Sequence, residues 1–358
     1  YYNKYIGKFD GQHHTVSGLY FNDSETKYVG LFGEVGQNGK VSNVGVVDSY
    51  FNGNNYIGGV CGYNYYATIS NSYNTGAVSG NSSVGGVCGS IFFGTISNCY
   101  NTGAVSGTES SVGGVCGHNS SGAISNCYNI GVVSGGSSSN SVGGVCGNCS
   151  GGNISHCYLD STKCDKNAVG ISDGVLLKIE GKSSEDFASG EVCYLLNKGM
   201  TDGTQVWYQD LTPETGDKHP VLKSNGNDTV YASQPCNIKF SNTELEPIEH
   251  NFDEHGFCTV CGAYQPATDS DSDGVYEIGN VGQLYWFAAL VNGTLTDGTA
   301  QNLSANAVLT ANITVNTGVL NADGTLASDV SGFKVWTPIG NYYNKYIGKF
   351  DGQHHTVS

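Results

Sequence analysis

The chain has 358 residues, 53 of them glycine, and only 13% of them are charged. Glycine at about twice its usual share without a Gly-X-Y period excludes collagen, and the low charge argues against charged intrinsic disorder. The net charge is −16, and the basic residues include lysine but no arginine. This balance argues against nucleic acids and anionic membrane surfaces as partners. No apolar run is long enough for membrane insertion.

The first segment of the chain is also its last. Residues 1–17 read YYNKYIGKFDGQHHTVS, and residues 342–358 repeat them without a change. Each residue therefore recurs 341 positions later. The identity predicts a window slightly longer than one unit of a tandem repeat, in which 275–341 would precede 1–170 in the natural order.

A shorter repeat follows. The cysteines of four VCG blocks, Cys61, Cys88, Cys116 and Cys146, are spaced 27, 28 and 30 residues apart. After each comes a block similar to ISNCYNTGAVSG, so every period holds three short β-type runs separated by glycine, serine and asparagine. Such a period can close one coil and stack on the next at ~4.8 Å. We therefore predict an all-β fold, a parallel β-helix solenoid with side-chain ladders, short helical caps and a small cysteine-rich connector.

The repeat blocks resemble a known family. GGVCG, ISNCYNTGAVSG, WTPIG at 336–340 and YIGKFDGQHHTVSGLYF at 5–21 are similar to the GLUG motif and opening coils of bacterial surface β-helices. The resemblance implies a structural or adhesive repeat unit, a stalk or binding scaffold that is extracellular, at the cell surface or cell wall of a bacterium. Its implied partners are glycans or proteins of host or neighbouring cells. Two alternatives stay open: a non-catalytic accessory region of an immunoglobulin-cleaving protease, and a polysaccharide-active β-helix enzyme.

Aromatic residues cluster within the coils, and they suggest a binding surface. They fall in matching loops of two neighbouring coils, where they would form a patch suited to stacking on sugars or packing on a partner. A local hydrophobic cover or a lateral β-helix contact is an equal alternative. The residues are Tyr63, Tyr65, Tyr66, Phe92 and Phe93.

The pattern divides the chain into five predicted segments. They are 1–170, β-helix coils; 171–235, an α+β C-terminal cap; 236–265, a Cys/His connector module; 266–274, an acidic linker; and 275–358, the N-terminal cap helix and first coils of the next copy. We predict a helix over 183–199, short strands within 206–233, and a helix capped by Asn280 with a Leu284, Phe287, Ala288 and Val291 stripe. The first strands of the next copy are expected at 307–316 and 333–340.

The connector carries the strongest chemical pattern. Cys258 and Cys261 form C-x-x-C, with Cys236 and His250 upstream. Three thiolates and an imidazole suit a closed structural zinc site, with His255 as a possible substitute for His250. A disulfide or free thiols are the alternatives.

The acidic linker resembles the start of a calcium loop. Asp269, Asp271 and Asp273 alternate before Gly274, and Glu277 falls at the ninth position. The twelfth position, which should supply a bidentate carboxylate, is asparagine. We therefore favour a solvated linker and do not expect calcium.

The coil cysteines behave like small buried hydrophobes, because Ser72 replaces one of them without disturbing the repeat. We favour free thiols over disulfides, which in a secreted protein fits an anaerobic habitat. No catalytic constellation is present: HNFDEH is not HExxH, and the coils are poor in carboxylates. For the motif that contains His13 and His14, the family resemblance implies a structural turn. We therefore predict that the chain is not an enzyme.

Overall fold

The computed structural model describes residues 3–136, 141–200, 203–236, 239–295, 297, 299–342 and 344–358. The chain divides into two compact units. The first unit is Tyr1–Ala232 with Phe240–Glu244, and the second is Ser233–Lys239 with Leu245–Ser358.

The first unit is built mainly from short strands in chain order. They are β1 (Lys8–Ser17), β2 (Tyr20–Asn22), β3 (Phe32–Val35), β4 (Lys40–Val47), β5 (Tyr50–Gly58), β6 (Cys61–Tyr65), β7 (Thr68–Ser70), β8 (Tyr73–Asn74), β9 (Ala77–Gly85), β10 (Cys88–Phe92), β11 (Thr95–Ser97), β12 (Tyr100–Asn101), β13 (Val105–Gly113), β14 (Cys116–Ser120), β15 (Ala123–Ser125), β16 (Tyr128–Asn129), β17 (Val133–Gly135), β18 (Val142–Gly143), β19 (Cys146–Ser150), β20 (Asn153–Asp160), β21 (Val169–Ser172) and β22 (Val175–Lys182).

These strands form three parallel sheets that run along the solenoid. The isoleucine sheet holds β1, β4, β7, β8, β11, β12, β15, β16, β20 and β22; the cysteine sheet holds β3, β6, β10, β14, β19 and β21; and the serine sheet holds β2, β5, β9, β13, β17 and β18. Equivalent positions lie opposite each other in neighbouring coils: Cys88 pairs with Cys61 and with Cys116. The predicted all-β parallel solenoid with side-chain ladders is confirmed.

The core of the solenoid consists of apolar ladders. Strand side chains alternate between the inside and the outside, so one residue type from each block points inward in every coil. Burying such a side chain stabilises the fold by roughly 1.5–3 kcal/mol. The ladder of the isoleucine sheet is fully enclosed and consists of Ile69, Ile96, Ile124 and Ile154.

Asparagine occupies the corner at the end of each ISN block and of the related VSN block at 41–43. Asn43, Asn71, Asn98 and Asn126 all have positive φ, between 48° and 55°. Asparagine adopts this left-handed conformation more readily than most residues. Its amide also links the coils, since Asn98 Nδ2 donates to Asn71 Oδ1 at 3.1 Å. Asparagine at this corner therefore both suits the backbone conformation and joins neighbouring coils.

A second asparagine ladder is buried. The Nδ2 atom of Asn74 donates to Oδ1 of Asn101 at 2.9 Å, and Asn101 donates likewise to Asn129. Asn101 Nδ2 also donates to the Gly103 carbonyl at 2.8 Å. The ladder stops at the next coil, where Leu159 lies opposite Asn129.

Residues after the last coil pack on the side of the solenoid. The strands of the isoleucine sheet continue to Lys182, beyond the predicted end of the coils at residue 170. Helices α1 (Ser184–Ala188) and α2 (Glu191–Lys198) follow, with Ser183 as N-cap of α1 and Gly199 as C-cap of α2. The predicted helix over 183–199 is thus two helices, because Gly190 adopts a left-handed conformation between them.

The core of this region includes tyrosines from interior coils. Tyr100 and Tyr128 pack with Phe187 and Trp207, and Tyr128 Oη lies 2.8 Å from His219 Nδ1. These contacts place the region against the outer face of the isoleucine sheet, not only over the far end as expected. Within 206–233 the described strand is β23 (Tyr231–Ala232), which pairs with β24 (Phe240–Ser241), so most of the predicted strands are irregular.

The second unit contains the predicted cap helix. Its elements are β25 (Val275–Ile278), α3 (Val281–Asn292), β26 (Asn306–Leu309) and β27 (Phe350–Asp351). Asn280 caps α3 by accepting from the Gln283 amide at 2.9 Å, as predicted. The sequence predicts an apolar stripe along one side of this helix. In the structure, apolar residues on all sides of α3 are buried, so the helix is not amphipathic. Of the two predicted first strands, 307–316 contributes β26, whereas 333–340 forms no strand.

Replacing Asn101 with leucine tests the buried ladder. The change removes the buried hydrogen bonds that Asn101 makes with Asn74, Asn129 and the Gly103 carbonyl, so we expect the free energy of unfolding to fall by about 2–4 kcal/mol. Urea denaturation measures the change. Asn22→Leu, in an exposed asparagine pair, is the control and should change stability by less than about 0.5 kcal/mol. Equal effects of the two substitutions would contradict a structural role for the buried ladder.

Candidate functional site

The four predicted metal ligands lie in one small cluster of the second unit. A backbone bridge holds Cys236 beside Ile248, with Cys236 N donating to Ile248 O at 3.1 Å. Cys258 begins a tight turn, in which the Gly262 amide donates to the Cys258 carbonyl at 2.9 Å. Gly262 has a φ of +72°, which glycine adopts without strain. The turn brings the thiol of Cys261 toward His250, which precedes it in the chain.

The distances within the cluster suit a tetrahedral ion. One ligand atom from each of Cys236, His250, Cys258 and Cys261 lies within 4.8 Å of all the others. The Cys236 and Cys258 sulfurs are 3.7 Å apart, and Cys261 Sγ is 3.4 Å from His250 Nδ1. A tetrahedral zinc ion separates two sulfurs by about 3.8 Å, and a sulfur from a nitrogen by about 3.6 Å. The cluster could therefore hold a metal ion without rearrangement.

The thiols of the cluster differ in acidity. Burial acts to raise the pKa of Cys258, but hydrogen bonds from the backbone amides of Cys261 and Val260 and from His250 outweigh it and lower the pKa to about 5. Burial and the neighbouring thiols Cys261 and Cys258 raise the pKa of Cys236 to about 12. These contacts favour the thiolate form of Cys258, and thiolate is the form that binds metals.

His255 does not join the cluster. Its ring is exposed, and its Nε2 atom lies 3.7 Å from the Glu254 carboxylate. The metal-ligand group of the structure contains His250 instead. The suggested substitution of His255 for His250 is therefore wrong for this geometry.

The acidic linker also gathers its carboxylates, but they serve their own loop. Asp269, Asp271 and Asp273 lie within 4.8 Å of one another and are exposed. Asp269 accepts from the backbone amides of Asp273 and Gly274, both at 2.9 Å. Glu277 accepts from the hydroxyls of Ser270 and Thr268 and is not part of the group. These local hydrogen bonds account for the loop without an ion.

The aromatic patch, defined as Tyr63, Tyr65, Tyr66, Phe92 and Phe93, is continuous in the structure. Tyr65 stacks on Phe92 with centroids 5.6 Å apart and planes 5° apart. Tyr66 stacks on Phe93 at 5.1 Å and 8°. The two stacks meet edge to face, and the outer rings are exposed, Tyr66 by 40% and Phe93 by 49%.

The outer rings of the patch stand at strained corners. Tyr66 has a φ of 52° and Phe93 a φ of 51°. Neighbouring coils place Asn38, Ser121 and Gly151 at the same corner, and these residue types are small or tolerate positive φ. A bulky residue in this conformation costs roughly 1–2 kcal/mol. The backbone does not favour aromatic residues at this corner, so their presence needs another reason.

The patch is larger than the sequence suggested. Tyr28 stacks on Tyr56 at 5.0 Å, and Tyr56 reaches Tyr63 at 5.3 Å. Lys4 Nζ lies 4.1 Å above the ring of Tyr65. Aligning the coils would have revealed Tyr28 and Tyr56, since serine takes their place in the coils that follow.

Comparison with known proteins identifies the coils. The GLUG motif family matches residues 53–79 and 80–106, two successive periods of the solenoid. The first unit is a β-helix, and two of its periods match the GLUG motif. No curated protein matches the chain at a significant level.

One solved structure is similar to this chain. It is a candidate immunoglobulin A1 protease from Bacteroides ovatus, 19% identical, with a TM-score of 0.42 over 60% of this chain and 76% of that chain. Among the described residues, no helix has the length and apolar character needed to cross a membrane.

All thirteen cysteines of the chain are free thiols in the structure, and only Cys261 is exposed. We therefore predict that iodoacetamide labels Cys261 first in the native, metal-free chain and labels the other cysteines only in urea. Peptide mass spectrometry measures the order of labelling. Disulfide-linked peptides from the coils, or several thiols reacting as fast as Cys261, would contradict the prediction.

Proposed function

We propose that this chain is a structural and adhesive repeat unit of an extracellular bacterial surface protein, and that it has no catalytic role. The observation that carries the proposal is the exposed aromatic patch, built at corners whose backbone disfavours it. GLUG-motif proteins are typically extracellular surface proteins, which fits this role. The protease-accessory and polysaccharide-enzyme alternatives stay predictions, because no contact among the described residues favours either.

The patch has the properties of a binding platform. Tyr65 and Phe92 lie in paired strands, β6 and β10, so their rings are held before a partner arrives. Ordering flexible side chains costs about 0.5–1.5 kcal/mol each on binding, and a preformed surface avoids much of that cost.

Sugars are the partner class that suits the patch best. The faces of pyranose rings present C–H groups that pack on aromatic faces, while tyrosine hydroxyls such as that of Tyr66 can hydrogen-bond to sugar hydroxyls. Lys4 and Glu34, which form an ion pair of 2.9 Å, stand beside the rings and add polar groups at the edge of the platform. We propose cell-surface glycans as the ligand of the patch.

The cysteine cluster has a structural role in this proposal. Three thiols and one imidazole form the donor set of a closed zinc site, which leaves no ligand position open for catalysis. Its segment contains little regular structure, and short segments of this kind commonly depend on a metal ion for stability. We propose that Cys236, His250, Cys258 and Cys261 bind one zinc ion that holds the connector folded.

Removing two rings tests the glycan proposal. A Tyr65→Ala, Tyr66→Ala double variant should lose about 1–3 kcal/mol of binding free energy, a weakening of roughly 5–150-fold. A glycan array identifies the ligand, and calorimetry with that glycan measures the affinity.

The control for this experiment is a Tyr20→Ala, Tyr50→Ala double variant. These rings also stack, at 5.8 Å, and are exposed on the paired strands β2 and β5 of the serine sheet. Their removal should leave the affinity unchanged. A glycan that binds both variants as well as the wild type, or no glycan binding by the wild type, would refute the proposal.

Metal analysis tests the zinc proposal. After addition of zinc and desalting, we expect one zinc ion per chain, and Cys258→Ser should weaken binding by more than about 100-fold. Cys193→Ser, which removes a buried thiol of the first unit, is the control and should retain the ion. A zinc content near zero in the wild type, or equal losses in both variants, would contradict the proposal.

A further inference from the structure

The duplicated sequence adopts the same local conformation in both copies. Gln12 and His13 have φ values of 49° and 59°, and their counterparts Gln353 and His354 have values of 46° and 65°. The Gln12 amide donates to Asp10 at 2.9 Å, and the Gln353 amide donates to Asp351 at the same distance. The described parts of the two copies therefore make the same turn at these positions.

The two copies have different neighbours. In the first copy, β1 is an edge strand of the isoleucine sheet and pairs in parallel with β4, which follows it in the chain. In the second copy, β27 is an edge strand and pairs in parallel with β26, which precedes it. A coil inside a parallel solenoid has one neighbour of each kind. Each copy therefore shows one of the two neighbours: β1 has the coil that follows it, and β27 has the coil that precedes it.

The copies use opposite edges of the same strand. Lys40 N donates to the carbonyl of Gly7 at 2.9 Å in the first copy. In the second, Ala307 N donates to the carbonyl of Lys349, the counterpart of Lys8, at 2.8 Å. Successive carbonyls of a strand point to opposite sides, so the two sets of hydrogen bonds are compatible in one strand.

The inward side chains are compatible as well. Phe9 packs on Phe32 of the next coil, with ring centroids 5.2 Å apart. Its counterpart Phe350 packs on Phe287 of α3 at 5.8 Å. A single phenylalanine at this position can therefore contact the cap helix on one side and the next coil on the other.

We propose that β26 of one copy of this chain pairs with β1 of another copy, so that units join end to end in a continuous solenoid. The register places Ala307 opposite Phe9, Val308 opposite Asp10 and Ile313 opposite Val16, as their counterparts lie in the second unit. Within one molecule, β27 already pairs with β26. It therefore competes with β1 of another molecule, at an effective concentration on the order of millimolar.

One substitution separates the two copies of the strand. A Cβ atom at Gly348 would lie 2.0 Å from the Ala305 carbonyl, a backbone atom that cannot yield. Gly348→Val should therefore expel β27 and leave β26 open to β1 of another molecule. We expect head-to-tail assemblies that grow with concentration, measured by sedimentation velocity, whereas the wild type stays monomeric at about 100 µM.

The same change in the first copy is the matched control. The three atoms nearest to a Cβ atom at Gly7 all belong to the ring end of Tyr5, a side chain that can move, so Gly7→Val should fold. Combined with Gly348→Val, it should restore the monomer, because β1 then clashes with Ala305 of the other molecule. A monomeric Gly348→Val chain with native circular dichroism, or assembly of the double variant equal to that of the single one, would overturn the proposal.

A second measurement decides the case if Gly348→Val fails to fold. Appending residues 18–182 after Ser358 gives the strand its second neighbour in one chain. We expect the amides of 349–357 to exchange with deuterium at least about tenfold more slowly than in the 358-residue chain. Unchanged exchange rates would overturn the proposal. Neither measurement involves the aromatic patch, so its outcome is independent of glycan binding.

Discussion

Parallel, in-register stacking is the constraint on which the rest of this structure depends. Each side chain lies ~4.8 Å from its counterpart in the next coil, so every position must suit a neighbour of its own kind. Isoleucine meets this condition by packing. Asparagine meets it because its amide both donates and accepts, and the chain Asn74, Asn101, Asn129 satisfies groups that would be costly if buried alone. The low charge of the sequence follows from the same condition, since stacked like charges repel.

The cysteine ladder obeys this constraint without disulfides. The Cys88 thiol donates to the carbonyl of Ser90 at 3.2 Å, and Cys99 donates to Ser97 in the same way. Ser72 makes the equivalent bond to Ser70 at 2.7 Å, which explains why serine replaces cysteine in that ladder. Burial raises the pKa of the Cys127 thiol and keeps this thiol protonated. Size and a local hydrogen bond, not redox chemistry, therefore explain the repeated cysteine.

The repeat made the coils and their register predictable, because four written copies of one block reveal which positions stack. The four-residue metal cluster was also accessible, since Cys258 and Cys261 fix a turn and Cys236 and His250 are close in sequence. The packing of Trp207 on Tyr100 and Tyr128 could not be predicted, because the sequence around a ladder tyrosine is the same whether water or a helix covers the ring. The loss of a strand at 333–340 and the burial of α3 on all sides likewise depend on contacts between distant segments, which local periodicity does not encode.

Stacking also explains why the aromatic corners occur in pairs. A ring at positive φ costs roughly 1–2 kcal/mol, and a stacked aromatic neighbour returns about 0.5–1.5 kcal/mol. A lone ring at a corner would therefore be a net loss, whereas Tyr66 with Phe93, and Tyr28 with Tyr56, come close to balance. Aromatic surface can thus be added to this solenoid only over adjacent coils. The resulting platform is at least two coils wide, which is the form that an extended ligand running along the solenoid axis would require.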